Sequence, residues 1–227
     1  MITRLLILCN VAAYIWEISV AGPGALSIWG GDLTRVLLAG ALFPYAVLHD
    51  GQWWRIVTSA FLHGGLMHLG VNMLSLWILG RFIEYAIGPW RMALIYMISL
   101  VASGLGVVYA SGLVGGPTAG LTPTVGASGA IFGLFGALFA VGFRLGPPGM
   151  QLIRANIGIL VINLIISFTV PSISWQAHVC GLLAGFVATL LIYTPPVRLA
   201  PVVVDANTGT ALETEYQGPP QTPPQRT

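Results

Sequence analysis

The chain has 227 residues, of which 56% are hydrophobic and only 7% charged. Soluble domains carry about 25% charged residues, so this composition excludes an ordinary soluble protein. The net charge of +2 comes from nine Arg, no Lys and seven acids. With no basic cluster, that balance excludes a nucleic-acid-binding surface.

Six apolar runs are long enough to span a bilayer as helices. They cover roughly 4–21, 56–80, 91–110, 127–145, 152–170 and 175–194. Arg4 precedes the first run as in a signal peptide, but Glu17 interrupts its apolar core and further spans follow, so it reads as a helix that stays. Six spans put both ends on one side. Arg4, Arg81, Arg91, Arg144, Arg154, Arg198 and Arg226 fall there, against Arg35 and Arg55 opposite. The positive-inside rule therefore places both termini in the cytoplasm. With no evident organelle-targeting segment, the plasma membrane is the expected location.

Between the first two spans lies the longest connection, about 22–55. It mixes Trp29, Leu33, Val36, Phe43, Tyr45, Trp53 and Trp54 with Asp32 and Arg35. This pattern predicts short helices lying in the membrane interface. The loop at about 111–126 is uncharged, rich in Gly, Pro and Thr, and runs into Ser128. Residues 195–227 hold seven prolines and three acids and are expected to be a disordered cytoplasmic tail. The domain expectation is thus a six-helix core, 1–194, and a Pro-rich tail, 195–227. Cys9 and Cys180 lie in apolar stretches and read as structural.

Polar residues at membrane depth point to function. Ser128, in Gly126-Ala127-Ser128-Gly129, sits where a loop becomes a helix. Unpaired backbone N–H groups there favour a developing anion, although a serine in that place also serves as an N-cap. His178 opens the last span, followed by Gly181 and Gly185 on one helix face. Gly129, Gly133 and Gly136 give the Ser128 helix a similar face. Small-residue faces allow close helix approach, which would bring Ser128 and His178 together as nucleophile and base; the alternative is a packed helix pair with an incidental His. His68 and Asn72, at i and i+4, project from one face and can donate to an oxyanion. Helix-to-helix hydrogen bonding is their bland alternative. Metal ligation by His63, His68 and His178 lacks an acidic or thiol ligand, so no metal or cofactor is expected. No acid is placed to orient His178, and a serine hydrolase here would run on a dyad.

In combination these residues resemble the rhomboid intramembrane serine proteases. The resemblance rests on His63-x4-His68-x3-Asn72, Gly126-x-Ser128-Gly129 and His178-x2-Gly181-x3-Gly185 on six spans, with Trp54-Arg55 before the second span. It covers about 1–194. It implies an all-α membrane protein: a six-transmembrane-helix bundle with a partly helical interfacial first loop. Ser128 is then the nucleophile and His178 the general base. The Ser128 N–H, His68 and Asn72 serve as oxyanion donors. Glu84 resembles an acidic residue that braces helices, with Arg81 or Arg91 as partner.

Phe132, four residues after Ser128, stands where some members have Tyr; it can stack on the His178 ring but offers no hydroxyl.

The implied partners are transmembrane protein substrates and membrane lipids; the sequence sets no oligomeric state. A helical substrate must unwind before attack, so helix-destabilising segments are the expected targets. His63, Asn72 and the 111–126 loop are expected to help wet the site. Phe168, Pro171 and Trp175 are candidates for a mobile gate. Cleavage should fall as pH drops through the base's pKa, near 6.5 for ordinary His. The alternatives are a non-catalytic rhomboid-like scaffold that binds membrane proteins and a small proton or metal transporter.

Overall fold

The computed structural model describes residues 1–29, 31–114, 119–195, 203–204 and 211–212. Met1–Thr194 forms one compact unit and Pro195–Thr227 a second. In the second, β1 (Val203–Val204) pairs antiparallel with β2 (Ala211–Leu212). The rest of the expected tail lies outside the described residues.

The first unit is helical. Helix α1 (Ile2–Ala21) is followed by a 3₁₀ turn (Pro23–Leu26), α2 (Thr34–Gly40), α3 (Pro44–His49), α4 (Arg55–Thr58) and a 3₁₀ turn (Ser59–Phe61). Then comes α5 (Leu66–Ser75), which passes through a π-helical stretch (Leu76–Gly80) into α6 (Arg81–Ile87). The bundle is completed by α7 (Pro89–Val114), α8 (Ser128–Leu145), α9 (Pro147–Thr169) and α10 (Trp175–Ile192). Among the described residues six segments are long and apolar enough to cross a membrane: α1, α5 with α6, most of α7, α8, α9 and α10. The protein is a multi-pass membrane protein whose first unit is an all-α bundle.

The second span differs from expectation, running 66–87 rather than 56–80. The cause is the Gly64-Gly65 pair. Gly65 has φ +151°, which breaks the helix and leaves 55–61 as short turns of the first loop.

Helix α1 is built inside out relative to a soluble helix. Its buried residues are Thr3, Asn10, Tyr14 and Glu17, while Leu5, Leu8 and Ile15 face outward. Lipid takes the apolar face, and protein supplies the polar partners. Glu17 accepts the His63 backbone N–H at 3.0 and 3.3 Å. The Tyr14 hydroxyl donates to the Ala25 carbonyl. Glu17 thus holds the chain just before α5.

At the other end of α1, Glu84 accepts the backbone N–H groups of Ile2 (2.8 Å) and Thr3 (3.0 Å) and the Thr3 hydroxyl (2.7 Å). This corrects the expected pairing with Arg81 or Arg91. Free N–H groups and the positive end of α1 attract the carboxylate, whereas Arg91 donates to the Ile87 carbonyl and Arg81 lies over Trp77. In the first loop, Arg55 donates to Gln52 Oε1 and to the carbonyls of Ala41 and Leu38. Its guanidinium lies over the Trp54 and Phe43 rings. One buried cation therefore ties together α2, α4 and the interfacial aromatics. Cys9 is exposed and Cys180 half-buried, so neither is the fully buried thiol expected.

Helix α8 is the central post. Fourteen of its 18 residues are buried, from Gly129 through Gly142, as expected of a helix apolar all round. It meets α10 along a seam of glycines. A Cβ on Gly181 would overlap the Gly129 carbonyl, and one on Gly185 the Gly133 carbonyl. No other residue fits at this backbone spacing.

Candidate active site

The glycine seam fixes the register of α8 against α10, and that register sets Ser128 beside His178. Ser128 is the first residue of α8, and Ala127 is the N-cap. The Ser128 hydroxyl makes no cap. It lies 2.8 Å from His178 Nε2. His178, in the first turn of α10, is 6% exposed. Phe132, one turn along α8, stacks on the imidazole with centroids 4.1 Å apart and planes 12° apart. Packing thus holds the ring plane without a phenol.

The other ring nitrogen has a partner that the sequence reading missed. Ser167, near the end of α9 and 2% exposed, places its Oγ 2.6 Å from His178 Nδ1. The same oxygen is 2.6 Å from the Asn163 carbonyl. A lone serine in an apolar helix is a weak signal, because Ser there often bonds only its own i−4 carbonyl. Its position 11 residues before His178, across one short connection, was the available hint.

The donor side is built by α5. Its first turn carries His68, whose Nδ1 accepts the Gly64 N–H at 3.1 Å. That leaves the proton of the neutral ring on Nε2. The Nε2 edge lies against Gly126: a Cβ there would sit 2.8 Å from both His68 Nε2 and Cε1. Gly126 also has φ +122°, so conformation and close approach both require glycine. Asn72 is 5% exposed, and its Nδ2 donates to the His68 carbonyl at 2.8 Å. A second amide proton remains on that nitrogen. The Gly126 N–H donates to the Ser59 carbonyl at 2.9 Å, joining the loop before α8 to the segment before α5.

His63 departs from its expected place. Instead of wetting the site it is 1% exposed, with Nδ1 at the Phe61 carbonyl and its ring edge-on to His68 at 5.1 Å. The Glu17 anchor on its N–H turns it inward, and it packs behind His68. Among the described residues no three His, Cys, Asp or Glu side chains gather as a metal site. Of the gate candidates, Phe168 and Trp175 stack at 5.2 Å across the α9–α10 connection, and Phe168 is exposed.

The fold and the juxtaposed pair define the class: a helical, multi-pass membrane protein with a serine hydroxyl set against a buried imidazole at one end of its bundle. Comparison with known proteins supplies the family. A rhomboid domain matches residues 50–195. The chain is 36% identical over 172 residues to Rhomboid protease GluP of Bacillus subtilis (strain 168), covering 75% of this chain and 32% of that protein. It is 35% identical over 180 residues to the Putative rhomboid protease YdcA of the same strain, covering 79% and 83%. It is also 29% identical over 192 residues to Inactive RHOMBOID-like protein 8 of Arabidopsis thaliana, covering 79% and 52%. This chain belongs to the rhomboid family. It spans about a third of GluP and most of YdcA.

Proposed function

We propose that this protein is an intramembrane serine endopeptidase that cuts transmembrane segments of other membrane proteins. The observation carrying the proposal is the 2.8 Å approach of Ser128 Oγ to His178 Nε2, across 50 residues of sequence. The relatives named rhomboid proteases support the same reading. Residues 1–194 carry the activity, with both termini in the cytoplasm and the site opening to the other side of the plasma membrane.

In the first step His178 Nε2 takes the Ser128 proton as Oγ attacks a peptide carbonyl carbon. The resulting oxyanion is held by the Ser128 N–H, His68 Nε2–H and the free Asn72 Nδ2–H, donors fixed before the reaction begins. His178 then protonates the leaving amine. Water, activated by the same nitrogen, releases the acyl group. A substrate helix has its carbonyls occupied in i to i−4 hydrogen bonds and must open locally before attack. Substrates with Gly, Pro or β-branched residues near the cut are therefore favoured.

The test uses the full chain with a panel of single-span substrates and a serine-directed covalent probe. Wild type should label and cleave, and Ser128→Ala should do neither. Cleavage that survives in Ser128→Ala would refute the assignment. Binding of substrates with neither labelling nor cleavage by wild type would favour the scaffold reading; one relative is named inactive.

A further inference from the structure

A hydroxyl with one proton sits 2.6 Å from a carbonyl oxygen and 2.6 Å from an imidazole nitrogen. The Asn163 carbonyl can only accept, and two oxygens that close with no proton between them would repel. The Ser167 proton therefore points to Asn163. The lone pairs of Oγ then face His178 Nδ1, and that nitrogen must donate. With the proton of the neutral ring on Nδ1, Nε2 is bare and faces the Ser128 hydroxyl. The hydrogen bonds run in one direction: Ser128 to His178, His178 to Ser167, Ser167 to the α9 backbone.

We propose that Ser167 is a positioning residue for the base, holding His178 in the Nδ1–H tautomer and accepting from that proton when the ring becomes imidazolium. The inference deepens the protease reading and rests on it. It gives the dyad a third, neutral member where a carboxylate is absent. Back-bonding alone does not explain the geometry. Thr169 and Thr189 donate to i−4 carbonyls in the same way, whereas Ser167 Oγ also meets a ring nitrogen. The hydroxyl belongs to α9, whose buried residues are only Gly149, Leu160 and Ser167. Orientation of the base is thus tied to seating of that span.

Two readouts test this in the purified full chain. The first is the ¹⁵N spectrum of histidine-labelled protein at a pH where the ring is neutral, with the His178 signals assigned by their loss in His178→Gln. Wild type should show a protonated Nδ1 and a bare Nε2, and Ser167→Ala should shift His178 toward the other tautomer. A proton on Nε2 in wild type would overturn the proposal. This reading needs no cleavage to occur, so it stands apart from failure of the protease assignment. The second is kinetic. Ser167→Ala should lower kcat by about 10- to 100-fold, the range of one hydrogen bond to a charged group, with KM unchanged. Ser167→Thr, which keeps the hydroxyl, should recover most of the rate. Wild-type kcat in Ser167→Ala, or no recovery in a folded Ser167→Thr, would count against it.

Discussion

Helices α8 and α9 are neighbours of opposite construction. In α8, 78% of the spanning window is buried; in α9, 11% is. Helix α8 meets α10 backbone to backbone at Gly129, Gly133, Gly181 and Gly185. The outer face of α9 in its second half is exposed Ile, Val and Phe, and the helix touches the bundle along one narrow stripe. The site draws on both. Ser128 and His178, the proposed nucleophile and base, come from the rigid seam, and the Ser167 hydroxyl behind the imidazole comes from the lightly held span. Distances between reacting atoms belong where the backbone cannot shift. A contact that can be made or broken belongs where little else moves with it.

The largest effect should come from removing chemistry while sparing the seam. Ser128→Ala, in the first turn of α8, should cut cleavage on the order of 10⁴-fold or more with thermal unfolding unchanged. On the donor side, Asn72→Ala should lower kcat about 100-fold, as expected for one oxyanion donor. A single-turnover assay should place that loss in the acylation step. Both variants leave the α8–α10 packing intact. Breaking the seam while sparing the chemistry is the reverse experiment. Gly185→Val forces a side chain into the Gly133 carbonyl. It should cost about 3 kcal/mol or more of stability, as overpacking at a backbone contact does, with a lower unfolding midpoint and activity lost in parallel.

What was legible beforehand follows the same division. The spans and glycine faces were readable because lipid and close helix packing restrict composition strongly. Ser128, His178, His68 and Asn72 stood out as polar residues in apolar runs. The start of the second span was misplaced because residues 55–61 are as apolar as a span, and only the conformation of Gly65 ends the continuity. The Glu84 partner was misread because a backbone N–H leaves no mark in a sequence, whereas Arg81 and Arg91 do. Ser167 escaped for a related reason: serines are common in this chain, and only tertiary packing selects the one aimed at Nδ1. His63 was read as wet because histidine is polar, but the Glu17 anchor on its backbone draws it under cover.

Smaller effects sharpen the contrast. Phe132→Leu keeps apolar volume on α8 but removes the flat face beneath the imidazole. An aromatic contact of this kind is worth about 1 kcal/mol, so kcat should fall about 5- to 10-fold. Serine-probe labelling should slow by the same factor.

The smallest effect should be on α9, where Gly158→Ala is the counterpart of Gly185→Val. Both are glycines inside spanning helices, so intrinsic helix propensity predicts a small gain for each, below about 1 kcal/mol and smaller for Val than for Ala. Their surroundings differ completely. A Cβ at Gly158 meets nothing within 4 Å, whereas one at Gly185 meets the α8 backbone. Gly158→Ala should therefore leave the unfolding midpoint and the cleavage rate at or slightly above wild type. Equal destabilisation by the two substitutions would mean that α9 is packed more tightly than its exposure indicates. The contrast between a fixed seam and a lightly held span would then fail.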